Sequence, residues 1–222
     1  MAEGKYSLRQ TKYAKTKIAL ARAFLKRLKS TRLQDISIKD ICKVVEISEG
    51  TFYNYFPNKI DLTRYIERLI LLKIAWQIKQ KEDSLKVLES IEYGFCLIAE
   101  EIKRPFLFYE IVSLHAAQRV KFKKAVLFSQ VEKYFAFPGY KGIETISVVT
   151  LDTLFMSLIV KAQEGGIISK KYKAADILIN LMAVFVGVPL VIQEEEFGGL
   201  DKLYREQLAL LWKAVKTDAG KK

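Results

Sequence analysis

Residues 37–56 read Ser37-Ile38-Lys39-Asp40-Ile41-Cys42-Lys43-Val44-Val45-Glu46-Ile47-Ser48-Glu49-Gly50-Thr51-Phe52-Tyr53-Asn54-Tyr55-Phe56. Two short helical runs are separated here by a tight break. Ser37 can cap the first, and Asp40 three residues on resembles a capping box. Ile38, Ile41 and Val45 give that run one inward face. Ser48 can cap the second run, which Pro57 stops. Phe52 and Phe56 lie four residues apart and can pack inward, leaving Thr51, Tyr53, Asn54 and Tyr55 for the polar faces. Gly50 would let backbone approach a phosphate closely.

A longer basic helix precedes this pair. Ile18, Ala21, Leu25 and Leu28 share one face, with Lys15, Arg22, Lys26 and Lys29 on others. The spacing predicts a helix of about 17 residues ending near Ser30. The three together read as a helix-turn-helix unit. In such a unit the second short helix offers its N-terminal N–H groups and polar side chains to DNA. Asn can read an adenine edge, a Thr methyl can touch a thymine methyl, and Tyr hydroxyls can reach phosphates.

Charge supports the same division. The 222-residue chain carries a formal net charge of +12. Residues 1–64 hold 14 Lys/Arg against 6 Asp/Glu; the remaining residues hold 23 against 19. A basic head of net +8 therefore joins a nearly balanced body of net +4. An anionic partner suits that head, although a solubilising surface would show the same excess. Half the residues are apolar, which excludes a disordered chain. Two cysteines, Cys42 and Cys96, are too few for a disulfide framework and point to a reducing cytoplasmic setting. The single histidine, His115, excludes multi-histidine metal sites and makes a Ser/His/Asp hydrolase unattractive. No Gly-rich phosphate loop, paired-Cys motif or nucleophile elbow is present, so neither enzyme nor cofactor is expected.

The rest of the chain reads as helices: about 58–79, 84–103, 105–114, 116–135, 143–164, 172–193 and 200–216. Loops fall at Phe137–Gly142 and at the Gly165-Gly166 and Gly198-Gly199 pairs. Ile146–Leu151 is β-branched and favours a strand by propensity, but its long apolar context favours helix. The fold class is therefore all-α. Ile177–Gln193 is the longest uncharged apolar run; it falls short of the ~20 residues of a spanning helix and reads as a buried one. The N-terminus lacks a signal-peptide core, and neither export nor a membrane partner is expected.

Ile38-x-Asp40-Ile41-Cys42, followed by Ile47-Ser48-x-Gly50-Thr51-Phe52-Tyr53-x-Tyr55-Phe56-x-x-Lys59-x-x-Leu62, resembles the N-terminal domain of TetR-family transcriptional regulators. The match spans about residues 12–64. The resemblance implies a DNA-binding domain over 1–60 and a helical effector-binding and dimerisation domain of about six helices over 61–222. It implies that Thr51, Tyr53, Asn54 and Tyr55 face DNA, with Ser48 and Gly50 at the start of that helix. Ser37 and Lys39 would touch backbone, and Lys59 would anchor a phosphate. Tyr53 is also readable as a packing residue, and Cys42 reads as a small buried apolar one. Arg9, Lys12, Lys15 and Lys17 form either an arm along DNA or a solvated tail. Two positions depart from the pattern. Glu46 stands where the turn usually has Gly, which implies a strained positive φ or a different closure. Tyr55 stands where His is frequent, which removes pH sensitivity there.

The family's architecture also implies a homodimer through the helices near 143–164 and 172–193; the same apolar helices would serve as the core of a monomer. Ala183 and Gly187 would allow close helix approach. It further implies a small-molecule effector, here hydrophobic or planar, with Tyr93, Phe95, Cys96, Phe106, Tyr109, His115, Phe122 and Phe155 as candidate liners. Each is also readable as core. Glu194-Glu195-Glu196 reads as a solvated helix end. The expected function is a ligand-responsive dimeric repressor on a palindromic duplex. The alternative is a small-molecule-binding protein whose basic module holds DNA without sequence preference.

Overall fold

The computed structural model describes residues 6–102, 105–117, 126–147, 150–192 and 194–217. Among these, ten α-helices and no strand occur: α1 (Leu8–Leu28), α2 (Ile38–Val45), α3 (Glu49–Tyr55), α4 (Lys59–Gln80), α5 (Val87–Glu101), α6 (Pro105–Ala117), α7 (Gln130–Ala136), α8 (Leu151–Glu164), α9 (Ala174–Val191) and α10 (Leu200–Val215). An antiparallel bridge between Ile168 and Lys216 is the one β-type pairing among the described residues. The all-α expectation holds.

The chain divides into two compact units, Met1–Lys73 with Arg104–Val148, and Ile74–Lys103 with Val149–Lys222. This division by packing is drawn differently from the one by charge and motif at residue 60. Segments late in the sequence complete the first unit. Its core gathers Phe24 of α1, Ile41 of α2, Phe52 of α3, Leu62 and Tyr65 of α4 and Leu107 of α6. In the second unit α5 packs on α8 and α10, and α9 packs on the same two helices. Phe95, Phe155 and Tyr204 meet at its centre, with ring centroids 4.9 and 5.0 Å from Phe95. Both Phe residues are fully buried. A Cβ on Gly94 would lie 3.1 Å from Ile78 and Phe155, so glycine sets how closely these helices approach.

Helix starts follow their caps. α1 begins at Leu8, earlier than its apolar spacing indicates, because Ser7 and Gln10 form a reciprocal capping box. The helix expected over 116–135 is not continuous. Residues 116–117 close α6, residues 118–125 lie outside the described set, and 126–129 are not helical. α7 starts only at Gln130, where the Ser129 hydroxyl accepts the Glu132 N–H and the Glu132 carboxylate accepts the Ser129 N–H.

The helix expected from Ile143 is likewise shortened. Ile143–Thr145 is a 3-10 turn, Ile146 is extended, and α8 begins at Leu151 under a Thr150 cap. Of the β-branched run, Ile146 is extended and Thr150 is the cap of α8, which interrupts the helix expected there; residues 148–149 lie outside the described residues. Gly139 and Gly142, at φ 87° and 78°, make the turn after α7 possible.

Candidate nucleic-acid interface

The turn between α2 and α3 closes through Glu46, which adopts the left-handed conformation at φ 59° and ψ 46°. It is the only non-glycine with positive φ among the described residues. The Ile47 N–H donates to the Cys42 carbonyl at 3.0 Å and the Glu46 N–H to that of Lys43 at 3.3 Å. These two bonds define a Schellman ending, which satisfies carbonyls the helix would otherwise leave open. The turn therefore has the geometry glycine ordinarily supplies, held by Glu46 at a cost of about 1–2 kcal/mol.

Ser37 and Ser48 cap their helices as their positions suggest: Ser37 Oγ accepts the Asp40 N–H at 3.2 Å, and Ser48 Oγ accepts the Thr51 N–H at 3.1 Å. Phe52 is fully buried and anchors α3 in the core, while Tyr53 stands 51% exposed. Asn54, Gly50, Ser48, Ser37 and Lys39 are also exposed. The outward face of α3 is thus Gly50, Tyr53 and Asn54, and Ser37 and Lys39 at the start of α2 are exposed as well.

Three other expected contacts are already engaged within the protein. The Thr51 hydroxyl lies 2.8 Å from the Ser48 hydroxyl, inside the cap. Tyr55 is half-buried and packs on Tyr13 of α1, the rings tilted at 35° with centroids 4.8 Å apart. The Lys59 ammonium donates to the carbonyls of Leu33 and Gln34 at 3.3 and 2.9 Å, tying the start of α4 to the 3-10 turn before α2. One of its three protons is left for another acceptor. Neither spacing nor residue type reveals these commitments.

Lys17 also differs from a solvated tail or arm. Its ammonium is 2.7 Å from Glu132 of α7, with both side chains largely buried. It lies 4.5 Å from the Tyr65 ring centroid and 5.7 Å from those of Phe56 and Tyr13. Tyr65 Oη and the Ser129 N–H and hydroxyl donate to the same carboxylate, each at 2.9 Å. Burial pushes the Glu132 pKa up. The hydrogen bonds from Lys17, Ser129 and Tyr65 and the Lys17 charge outweigh it, so the carboxyl lies below its ordinary value. Burial first, then Glu132, drive the Tyr65 phenol well above its ordinary value. Arg9, Lys12 and Lys15 remain exposed, with the Lys15 ammonium 5.0 Å from the Phe135 ring centroid.

The expected effector-lining residues scatter. Phe95 and Phe155 belong to the solid aromatic core of the second unit, where Tyr93 and Cys96 are half-buried. Burial raises the Cys96 pKa. Phe106 and Tyr109 belong to α6 of the first unit, each 39% exposed. Phe122 and the His115 side chain lie outside the described residues, as do the side chains of Glu194–Glu196. Among the described residues no group of three or more His, Cys, Asp or Glu could hold a metal ion.

No family model and no curated protein matches this chain. Solved structures do. A Thermus thermophilus FadR, described as a TetR-family transcriptional repressor in complex with lauroyl-CoA, shares 17% identity over 93% of this chain and 98% of its own, with a TM-score of 0.61. Salmonella enterica GusR shares 18% over 90% and 95%, with a TM-score of 0.57. The ketosteroid transcriptional regulator KstR2 of Mycobacterium tuberculosis shares 13% over 97% and 98%, with a TM-score of 0.51. What the chain shares with these structures is the TetR fold.

Proposed function

We propose that this chain is a cytoplasmic, ligand-responsive transcriptional regulator, a repressor that binds a (pseudo)palindromic duplex as a homodimer. The carrying observation is α3: a capped helix, anchored by fully buried Phe52, that leaves Tyr53 and Asn54 outward, with Ser37 and Lys39 also exposed. Residues 1–60 are the reading head in this account, and their basic excess supplies the salt-dependent part of affinity. Residues 61–222 carry dimerisation and effector binding. Dimerisation is supported by α9, whose apolar length buries only Ile177, Leu181 and Pro189. By length and composition alone this helix could also cross a membrane. Exposed Ala183, and Gly187 with open space at its Cβ position, suit close contact with a second copy's helix instead.

The proposed effector is a hydrophobic small molecule. Support comes from the aromatic-rich body and from the lauroyl-CoA complex of the similar Thermus protein. The pocket is assigned to the second unit's half-buried candidates Tyr93 and Cys96 rather than to Phe95 and Phe155. The test is selection from random duplexes with the full-length protein. A recovered palindrome, bound by a dimer and released by a hydrophobic ligand, is the expected result. Equal binding to every duplex would leave a ligand-binding protein with a non-specific basic module.

A further inference from the structure

Two adjacent charged residues of α7, Glu132 and Lys133, are both buried. They face different partners. Lys133 donates to the carbonyls of Glu144 and Ile146 at 3.3 and 2.5 Å, closing the turn that follows its own helix. Glu132 reaches back to α1 and α4 through Lys17 and Tyr65. Arg22 of α1 adds a second tie by donating to the carbonyls of Phe135 and Ala136 at 3.2 and 2.9 Å, at the end of α7. A seven-residue helix is not stable alone, so these contacts and its cap hold it.

The chain of contact continues to α3. Lys17 lies under Phe56, the residue that ends α3, and beside Tyr13, which packs on Tyr55 of α3. Phe56 in turn packs on Tyr65 at 5.2 Å between centroids. A cation this largely buried stays among three rings only while an anion holds it, because an unpaired buried charge is strongly disfavoured.

We propose that Glu132 is a positioning residue for DNA reading. Its carboxylate fixes Lys17 beneath Tyr13, Phe56 and Tyr65, and so sets the aromatic shelf on which α3 rests. This rests on the DNA-reading assignment. α7, although distant in sequence, then belongs to the reading head. Sequence preference becomes sensitive to any event that lifts α7 from α1, while phosphate contacts made by exposed lysines are not.

The experiment compares full-length Glu132→Gln, Lys17→Met and the double variant with Lys133→Met, which loosens the other side of the same helix. All are studied well below their unfolding temperatures. The first readout is amide exchange in α3 without DNA. Glu132→Gln and Lys17→Met should each lower protection there by about tenfold, the double variant should add little, and Lys133→Met should leave α3 unchanged. The second readout is the ratio of affinities for a selected duplex and a random one, expected to fall by roughly tenfold in the Glu132 and Lys17 variants. Unchanged α3 exchange in Glu132→Gln, or an equal loss in Lys133→Met, would overturn the proposal, since Glu132 would then only hold α7 in place. A wild-type protein without duplex preference but with the expected exchange pattern would instead remove the DNA-reading assignment.

Discussion

At the scale of single residues, the side chains of α3 differ in their commitments. Tyr53 and Asn54 are exposed on the outward side of α3. Tyr53→Ala and Asn54→Ala should therefore each cost roughly 1–3 kcal/mol on a selected duplex and relax its sequence preference, measured by competition with random DNA. Lys59 is different, because its ammonium also joins two backbone carbonyls. Lys59→Ala should weaken all duplexes alike and also lower thermal stability by about 1–2 kcal/mol. A loss of affinity with unchanged melting would show those carbonyl bonds to be immaterial.

Glu46 offers a test of strain. Its left-handed backbone is suited to glycine, and its side chain is exposed. Glu46→Gly should raise stability by up to about 1 kcal/mol, the relief of strain exceeding the added freedom of the unfolded chain. Chemical denaturation measures it directly, and a decrease would show that the Glu46 side chain contributes to the turn.

At the scale of elements, α7 carries a predictable acid dependence. The folded Glu132 pKa lies below its ordinary 4.5, so the unfolded chain binds its proton more readily. The stability it contributes is complete above about 4.5 and drains away as pH falls through the lower folded value. Wild type should lose stability over that acid range more steeply than Glu132→Gln, whose own deficit should be largest near neutral pH. Parallel curves in thermal melts from pH 3 to 7, on the order of the carboxylate range, would deny the ion pair a role in folding. Lys133 runs in the opposite sense: burial lowers its pKa, Glu144 partly restoring it, so its charged form carries a cost that only alkaline pH relieves.

At the scale of the whole molecule, α9 is the feature that the single chain leaves incomplete. Ile179, Leu190 and Val191 are all more than half exposed. If a second copy covers this helix, Ile179→Arg should convert a dimer to a monomer in sedimentation equilibrium while each chain stays folded. It should also abolish binding to a palindrome, because two half-sites need two linked heads. A variant that remains dimeric would place the interface elsewhere.

The sequence by itself determined the helical class, the helix-turn-helix and the two serine caps, because each rests on contacts within a few residues. Even the irregular turn was legible, since Glu46 in place of glycine announced either strain or a different closure. Local signals also existed for what periodicity misplaced. Ser7-x-x-Gln10 and Ser129-x-x-Glu132 are capping boxes, and they mark where α1 and α7 begin. Only the tertiary structure decided which polar groups of the head are free. Lys17, Tyr55 and Lys59 read as solvent-facing in a linear pattern, yet Glu132, Tyr13 and the Leu33 and Gln34 carbonyls claim them. Of these, Glu132 lies 115 residues beyond Lys17. Pairing at such separation follows from how helices pack in three dimensions, and no spacing rule along the chain encodes it.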